Sequence, residues 1–333
     1  MIKRGRGLAI AAATVVLAGA GAVLVLSGRG NHPEPRALTT TRPPATRPVT
    51  PSPPKPRGPF AIGLLVLRLV DYSRRIGTEP RTLVTVVRYP AVGAPSATDL
   101  ANAPPERAGG PFPLVVFAHG YRLAPDTYTE LLRAWAHAGY VVAAPAFPLT
   151  NADASVVDRS DLINQPQDLR FVIARLTAPR NGPLRGLIST NRIALGGHSD
   201  GVDSALAVAY GKRQDRRVRA AIGLSGTEIA AFTGFSESTR GVALLAVQGT
   251  ADSVNSPRGT DSYFAVAPRP KYLLKLLGAE HTVPYQDKQP YLGIVERLST
   301  AFLDGYLKGD RAARGRLVMR GSVRGLSTLQ IDR

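Results

Sequence analysis

The pentapeptide Gly197-His198-Ser199-Asp200-Gly201 constrains this chain more than any other stretch. A Gly-x-Ser-x-Gly sequence can hold a serine at the apex of a turn so tight that a side chain at Gly197 or Gly201 would collide with the neighbouring strand or helix. With 33 glycines in 333 residues, roughly 0.2 such matches are expected by chance, so the flanks decide what the motif means. Arg192-Ile193-Ala194-Leu195 is a short apolar run ending in Gly196, the pattern of a buried parallel strand. After the motif, Val202, Ala205, Leu206 and Ala209 recur at helical spacing. Strand, turn, then helix is the context that presents a serine at the end of a sheet.

A nucleophilic serine needs a base to take its proton and an acid to orient that base, and behind such an elbow they follow in the order acid, then histidine. There are five histidines. His32 lies in a Pro-rich stretch, His137 falls within a helical pattern, and His119 and His198 stand at strand ends. His281 follows the apolar run Tyr272 to Leu277 and is read as the base. The acid belongs at the carboxyl end of the strand between them, Val242 to Val247, where Gln248-Gly249-Thr250-Ala251-Asp252 follows directly. Asp252 is preferred to Asp261, which lies farther into the following segment, although a turn or cap role is the ordinary job of an aspartate there.

Two backbone N–H groups are also required to hold the negative charge that develops on a carbonyl oxygen, each worth about 3 kcal/mol. Asp200, directly after the serine, supplies one. Pro113 to Ala118 reads as an early strand, and His119-Gly120-Tyr121 after it places the Tyr121 N–H as the second donor.

With these residues in view, the chain from about 60 to 307 resembles the α/β-hydrolase branch of dienelactone hydrolases, platelet-activating-factor acetylhydrolases and bacterial polyester-degrading cutinases. The likeness runs through Val70 to Arg74 with Arg81 to Pro90, Val115 to Gly120, Gly139 to Pro145, the elbow, Gly249 to Asp252, and Gly278 to His281. The resemblance implies ester hydrolysis through an acyl-enzyme, with no metal or organic cofactor. Two positions depart from it: Asp200 stands where an apolar residue or Gln is frequent, and Val202 where a second glycine is common. There is no cysteine, so the cutinases' disulfide is absent as well.

The rest of the pattern predicts an α/β protein: one domain over 60–310, a mainly parallel central sheet with helices on both faces, and no large lid. Helices are expected over Asp126 to Ala138, Pro166 to Leu176 and Tyr291 to Tyr306, alternating with the strands above. Fewer than 20 residues separate the strand near Ala221 to Leu224 from Val242, too few for a cap domain; Phe232 and Phe235 within them are read as pocket or core aromatics.

Before the domain, Lys3, Arg4 and Arg6 precede an uncharged run from Leu8 to Ser27, about the length that crosses a bilayer. Residues 1–28 are therefore read as a membrane anchor, with a signal peptide cleaved near Ala18-Gly19-Ala20 as the alternative. Either reading puts the catalytic domain outside the cytoplasm. Residues 29–59 read as an extended spacer, with ten prolines between 31 and 59. The net charge of +18 concentrates at the ends, +8 over residues 1–59 and +5 over 308–333. That distribution favours an anionic lipid or envelope surface over nucleic acid, for which no aromatic-interleaved basic motif is present. Residues 311–333 are read as a basic extension. The sequence thus predicts an exported serine ester hydrolase acting on a lipid, small-molecule or polyester ester. An acyltransferase using the same residues is one alternative, and a catalytically silent envelope-binding protein of the same fold is the other.

Overall fold

A computed structural model describes residues 58–178, 182–227 and 241–333 of the chain. The expected anchor and nearly all of the spacer lie outside these residues, as do Phe232 and Phe235. Among the described residues no helix is long and apolar enough to cross a membrane.

The chain opens with a long antiparallel hairpin, β1 (Ala61–Ile76) and β2 (Glu79–Ala91), turned by Gly77 at φ 57°. The two-residue β3 (Leu100–Ala101) pairs with the start of β1. Then strands and helices alternate: β4 (Phe112–Ala118), α1 (Thr129–His137), β5 (Val141–Ala146), α2 (Gln165–Thr177), β6 (Ile188–His198) and α3 (Asp200–Tyr210). They continue with β7 (Val218–Leu224), β8 (Ala243–Gly249), α4 (Pro257–Val266), β9 (Lys271–Leu276), α5 (Tyr291–Leu307), α6 (Arg311–Arg320) and β10 (Ser327–Asp332).

All ten strands form one sheet in the order β10-β9-β8-β7-β6-β4-β5-β2-β1-β3. Its middle, β5-β4-β6-β7-β8-β9, is parallel, and antiparallel strands flank it on both sides. The central strands are apolar throughout because both faces are covered; every residue of β4 and β8 is buried. On one face, Leu169, Val172 and Ile173 of α2, Val202 and Leu206 of α3, and Tyr263 and Phe264 of α4 form one core. On the other, Leu131, Leu132 and Trp135 of α1 pack with Ile294, Val295, Leu298 and Phe302 of α5 and Leu317 of α6. These stripes are the helical periodicities seen in the sequence, and Trp135 joins α1 to α5 through its Nε1–H to Ser299 Oγ at 2.8 Å.

The basic segment from 311 onward is part of this layout. Asp310 caps α6 by accepting the Ala313 N–H, Leu317 is buried, and β10 pairs antiparallel with β9 from Ser327↔Leu276 to Asp332↔Lys271. It closes one edge of the sheet. At the other end of the domain, Phe60 N–H donates to His137 O, so the chain enters at the amino-terminal edge of the parallel strands. The elbow lies at the opposite, carboxyl edge.

Candidate active site

β6 ends at His198 and α3 begins at Asp200, leaving Ser199 alone between them with φ 53° and ψ −127°. A non-glycine residue at positive φ is held there by its surroundings, at a cost of about 1–3 kcal/mol. Its neighbours enforce it. A Cβ on Gly197 would run into the backbone of Gly201 and Val202, and one on Gly201 into the carbonyls of Ala118 and His119. Ser199 N–H also donates to Leu224 O at 3.0 Å, fixing the turn to β7. Val202, the departure noted in the sequence, is accommodated because Gly226 faces it; a Cβ there would overlap the valine side chain.

The carboxyl ends of three strands converge on Ser199. From the loop after β9, His281 places Nε2 3.0 Å from Ser199 Oγ and Nδ1 2.9 Å from Asp252 Oδ2, and Asp252 comes from the loop after β8. Gly249 makes this meeting possible, since a Cβ on it would strike the carbonyls of Ala279 and Glu280 as that chain passes. Asp252 is fully engaged: Oδ1 accepts the N–H groups of Val254 and Asn255 at 3.0 and 2.8 Å, and Oδ2 accepts Gln248 Nε2 at 3.0 Å beside the histidine. Burial works to raise its pKa, but the bonds from His281, Asn255 and Gln248 outweigh it and hold the carboxyl below the ordinary aspartate range. An ionised Asp252 accepts the Nδ1 proton of His281 and leaves Nε2 free to receive one from the serine. Asp261, the alternative acid, lies on α4 and pairs with Lys275 at 3.0 Å.

His198 and His119, set aside in the sequence, form a layer beneath. His198 is buried, with Nε2 3.0 Å from the His281 carbonyl and Nδ1 2.8 Å from the Tyr128 hydroxyl. A carbonyl only accepts, so Nε2 carries the proton, Nδ1 accepts from Tyr128, and the Tyr128 oxygen accepts the Gly120 N–H at 3.2 Å. Burial, helped by the nearby His281, lowers the His198 pKa to about 3 and keeps the ring neutral. His119 accepts the Phe147 N–H at Nε2, 3.0 Å, and donates from Nδ1 to Gly120 O at 2.8 Å; burial lowers its pKa to about 4. His198 ties the segment after β4 to the loops carrying Ser199 and His281, and His119 ties it to the loop after β5.

That loop after β4 bears Tyr121. A Cβ on Gly120 would stand 3.1 Å from Ser199 Cβ and 3.0 Å from His198 Nδ1, so the glycine is needed for space; the chain itself reverses at Arg122, φ 56°. Tyr121 thus follows a backbone in contact with Ser199, and the Asp200 amide opens the first turn of α3, where helix N–H groups lack partners within the helix. Arg159 joins the two residues. Its Nε and Nη2 donate to Asp200 Oδ2 and Oδ1 at 2.9 and 2.8 Å, and its guanidinium lies 5.6 Å from the centre of the Tyr121 ring. On the other side, Asn255 donates to Ser225 O at 2.8 Å and reaches to within 3.4 Å of Ser199 Oγ. Sequence reasoning gave no role to Arg159, Asn255, Gln248 or Tyr128: Gln248 was visible only as the start of the run to Asp252, and the other three lie outside the motifs.

Geometrically, the cluster offers a hydroxyl, a base within reach of it and an ionised carboxylate behind the base. Among the described residues no group of three or more His, Cys, Asp or Glu is placed to hold a metal ion.

Comparison with known proteins adds an independent line. The chlorophyllase family matches residues 76–226, from the end of β1 past the elbow and α3 to Gly226. No curated protein matches the chain. Among solved structures, a ferulic acid esterase from Streptomyces cinnamoneus superposes with a TM-score of 0.61 at 24% identity, covering 75% of this chain and 91% of that one. The family match includes the turn at Ser199, and the structural match covers a larger share of the chain. The chain is thus similar to the chlorophyllase family over residues 76–226, and its fold is the α/β fold of that solved structure.

Proposed function

We propose that the protein cleaves carboxylic esters through Ser199, His281 and Asp252. Ser199 Oγ attacks the ester carbonyl while His281 Nε2 takes its proton, and the carbonyl electrons move onto oxygen beside the Tyr121 and Asp200 amides. The tetrahedral intermediate collapses, His281 returns the proton to the departing alcohol, and the acyl group stays on Ser199. Water then attacks the acyl carbonyl while His281 takes its proton, and as the bond to Ser199 Oγ breaks His281 returns that proton to the serine and the acid leaves. Asp252 keeps Nδ1 protonated throughout and stabilises the imidazolium formed in each half. The observation that carries this reading is the unbroken chain from Asp252 Oδ2 to His281 to Ser199 Oγ, at 2.9 and 3.0 Å.

The fold neighbour and the family match bear the names of enzymes acting on a ferulic ester and on chlorophyll, so those ester types belong in the test. Purified protein is assayed with p-nitrophenyl esters of increasing chain length, a ferulate ester and chlorophyll, beside Ser199→Ala. The reading requires turnover of at least one class, lost in the variant; no turnover of any would overturn it. Added alcohol serves as a competing acceptor, and preferential acyl transfer to it would make the enzyme a transferase. For location, the basic start, the apolar run 8–27 and the Pro-rich spacer support a domain held outside the membrane by an uncleaved anchor. An intact amino terminus in the membrane fraction, with externally added protease reaching the domain, is the expected result. A mature chain beginning near residue 21 would replace the anchor with a signal peptide.

A further inference from the structure

Asp200 poses an electrostatic problem. Its amide is one of the two donors proposed for the oxyanion, yet its own carboxylate brings a negative charge to the place where negative charge must develop. In a partly desolvated cleft, neighbouring like charges oppose each other strongly enough to cancel one good donor. Asp203, one turn on and buried, adds a second acidic group close enough to act on Arg159.

Arg159 is placed to answer this. Both of its bonds to Asp200 are short and form a two-pronged fork. The Asp200 side chain is 11% exposed and the Arg159 side chain 62% exposed, so the arginine reaches in from the rim while the carboxylate is held within. The same guanidinium lies over the Tyr121 ring. One side chain therefore contacts both residues whose amides are proposed as the oxyanion donors. Its backbone is fixed as well: Asp158 caps the short 3-10 turn Arg159–Asn164 through the Ser160 N–H, and Asp161 within it is gripped at 2.9 and 2.7 Å by the buried Arg81.

We infer that Arg159 is a positioning residue that neutralises Asp200 and aligns Tyr121 with it, so that the Asp200 carboxylate does not oppose the charge that develops on the oxyanion. This rests on the oxyanion reading proposed above. A surface ion pair with only a structural role would add little to activity and nothing specific to kcat. Charge compensation has a different signature, because removing the arginine is then worse than removing the whole pair.

The test uses the full-length protein in detergent with p-nitrophenyl acetate, comparing wild type, Arg159→Lys, Arg159→Ala and the double variant Arg159→Ala/Asp200→Asn. We expect Arg159→Ala to lower kcat about 10-fold with KM within about twofold, Arg159→Lys to lose less, and the double variant to regain much of the loss. Raising NaCl to about 0.5 M should narrow the gap between Arg159→Ala and wild type, since salt screens the carboxylate that loss of the arginine uncovers. A double variant as slow as Arg159→Ala or slower, or a loss confined to KM, overturns the inference. Labelling of wild-type Ser199 by a fluorophosphonate is run in parallel. Labelling without the rescue refutes Arg159's role alone, whereas no labelling refutes the catalytic reading beneath it.

Discussion

Ser199 is held at φ 53° by two glycines with no room for a methyl group, so the elbow's geometry depends on atoms that are missing from its neighbours. Gly201→Ala must move the β4 carboxyl end or relax the turn; the expected outcome is loss of soluble protein, or folded protein with kcat reduced by orders of magnitude, read by expression and assay together. Asp252→Asn keeps the shape but lets His281 take the wrong tautomer, and kcat should fall by about 10³–10⁴-fold with the fold intact by circular dichroism. Ser199, Asp252 and His281 were legible in the sequence because each sits in a loop that directly ends an apolar strand. Arg159, Asn255 and Tyr128 were not, because they reach the site from two 3-10 turns and from the loop between β8 and α4, through packing that no local pattern encodes. His119 and His198 illustrate the same limit: their residue type was visible, but their neutral, buried state follows from a carbonyl and a tyrosine contributed by distant segments.

At the scale of elements, the last twenty-odd residues show how a segment can be read by its charge and still belong to the core. The arginines of α6 suggested a basic extension, but Ala313 and Leu317 between them are buried, and β10 covers the edge of β9. Removing residues 311–333 would expose that edge and the α5 face beneath Leu317, so a chain ending at Asp310 is expected to aggregate on expression. The milder Leu317→Ala should cost about 2–4 kcal/mol in urea unfolding with kcat unchanged. The helices were legible to within a few residues: the pattern over Asp126 to Ala138 resolves into a 3-10 turn at Pro125–Tyr128 and α1 at Thr129–His137, and Pro166 to Leu176 into α2. The hairpin was read only in part. β1 runs sixteen residues from Ala61 to Ile76, and only its later stretch, from Val70, was read as strand.

For the whole molecule, a domain with no cysteine relies on one sheet covered on both faces, and its acid stability should report the buried histidines. Their folded pKa values, about 4 for His119 and about 3 for His198, lie below the ordinary 6.5. Above pH 6.5 both states are neutral and nothing is lost. Below it the unfolded chain takes up protons that the folded one refuses, and each ring removes about 1.4 kcal/mol of stability per pH unit until its folded pKa is reached. The depressed Asp252 pKa acts in the same direction at lower pH. The urea midpoint should therefore fall from pH 6.5 to pH 4.5, and a flat profile would place water or a counter-charge beside these rings. The central claim, that one serine in the whole chain is activated by His281, is tested most directly by the mass of the intact protein after fluorophosphonate treatment. The account predicts a single adduct per chain, mapped to Ser199, absent from Ser199→Ala and formed at least about 100-fold more slowly by His281→Ala. A folded wild-type protein that takes no adduct, or takes it on another serine, would contradict it.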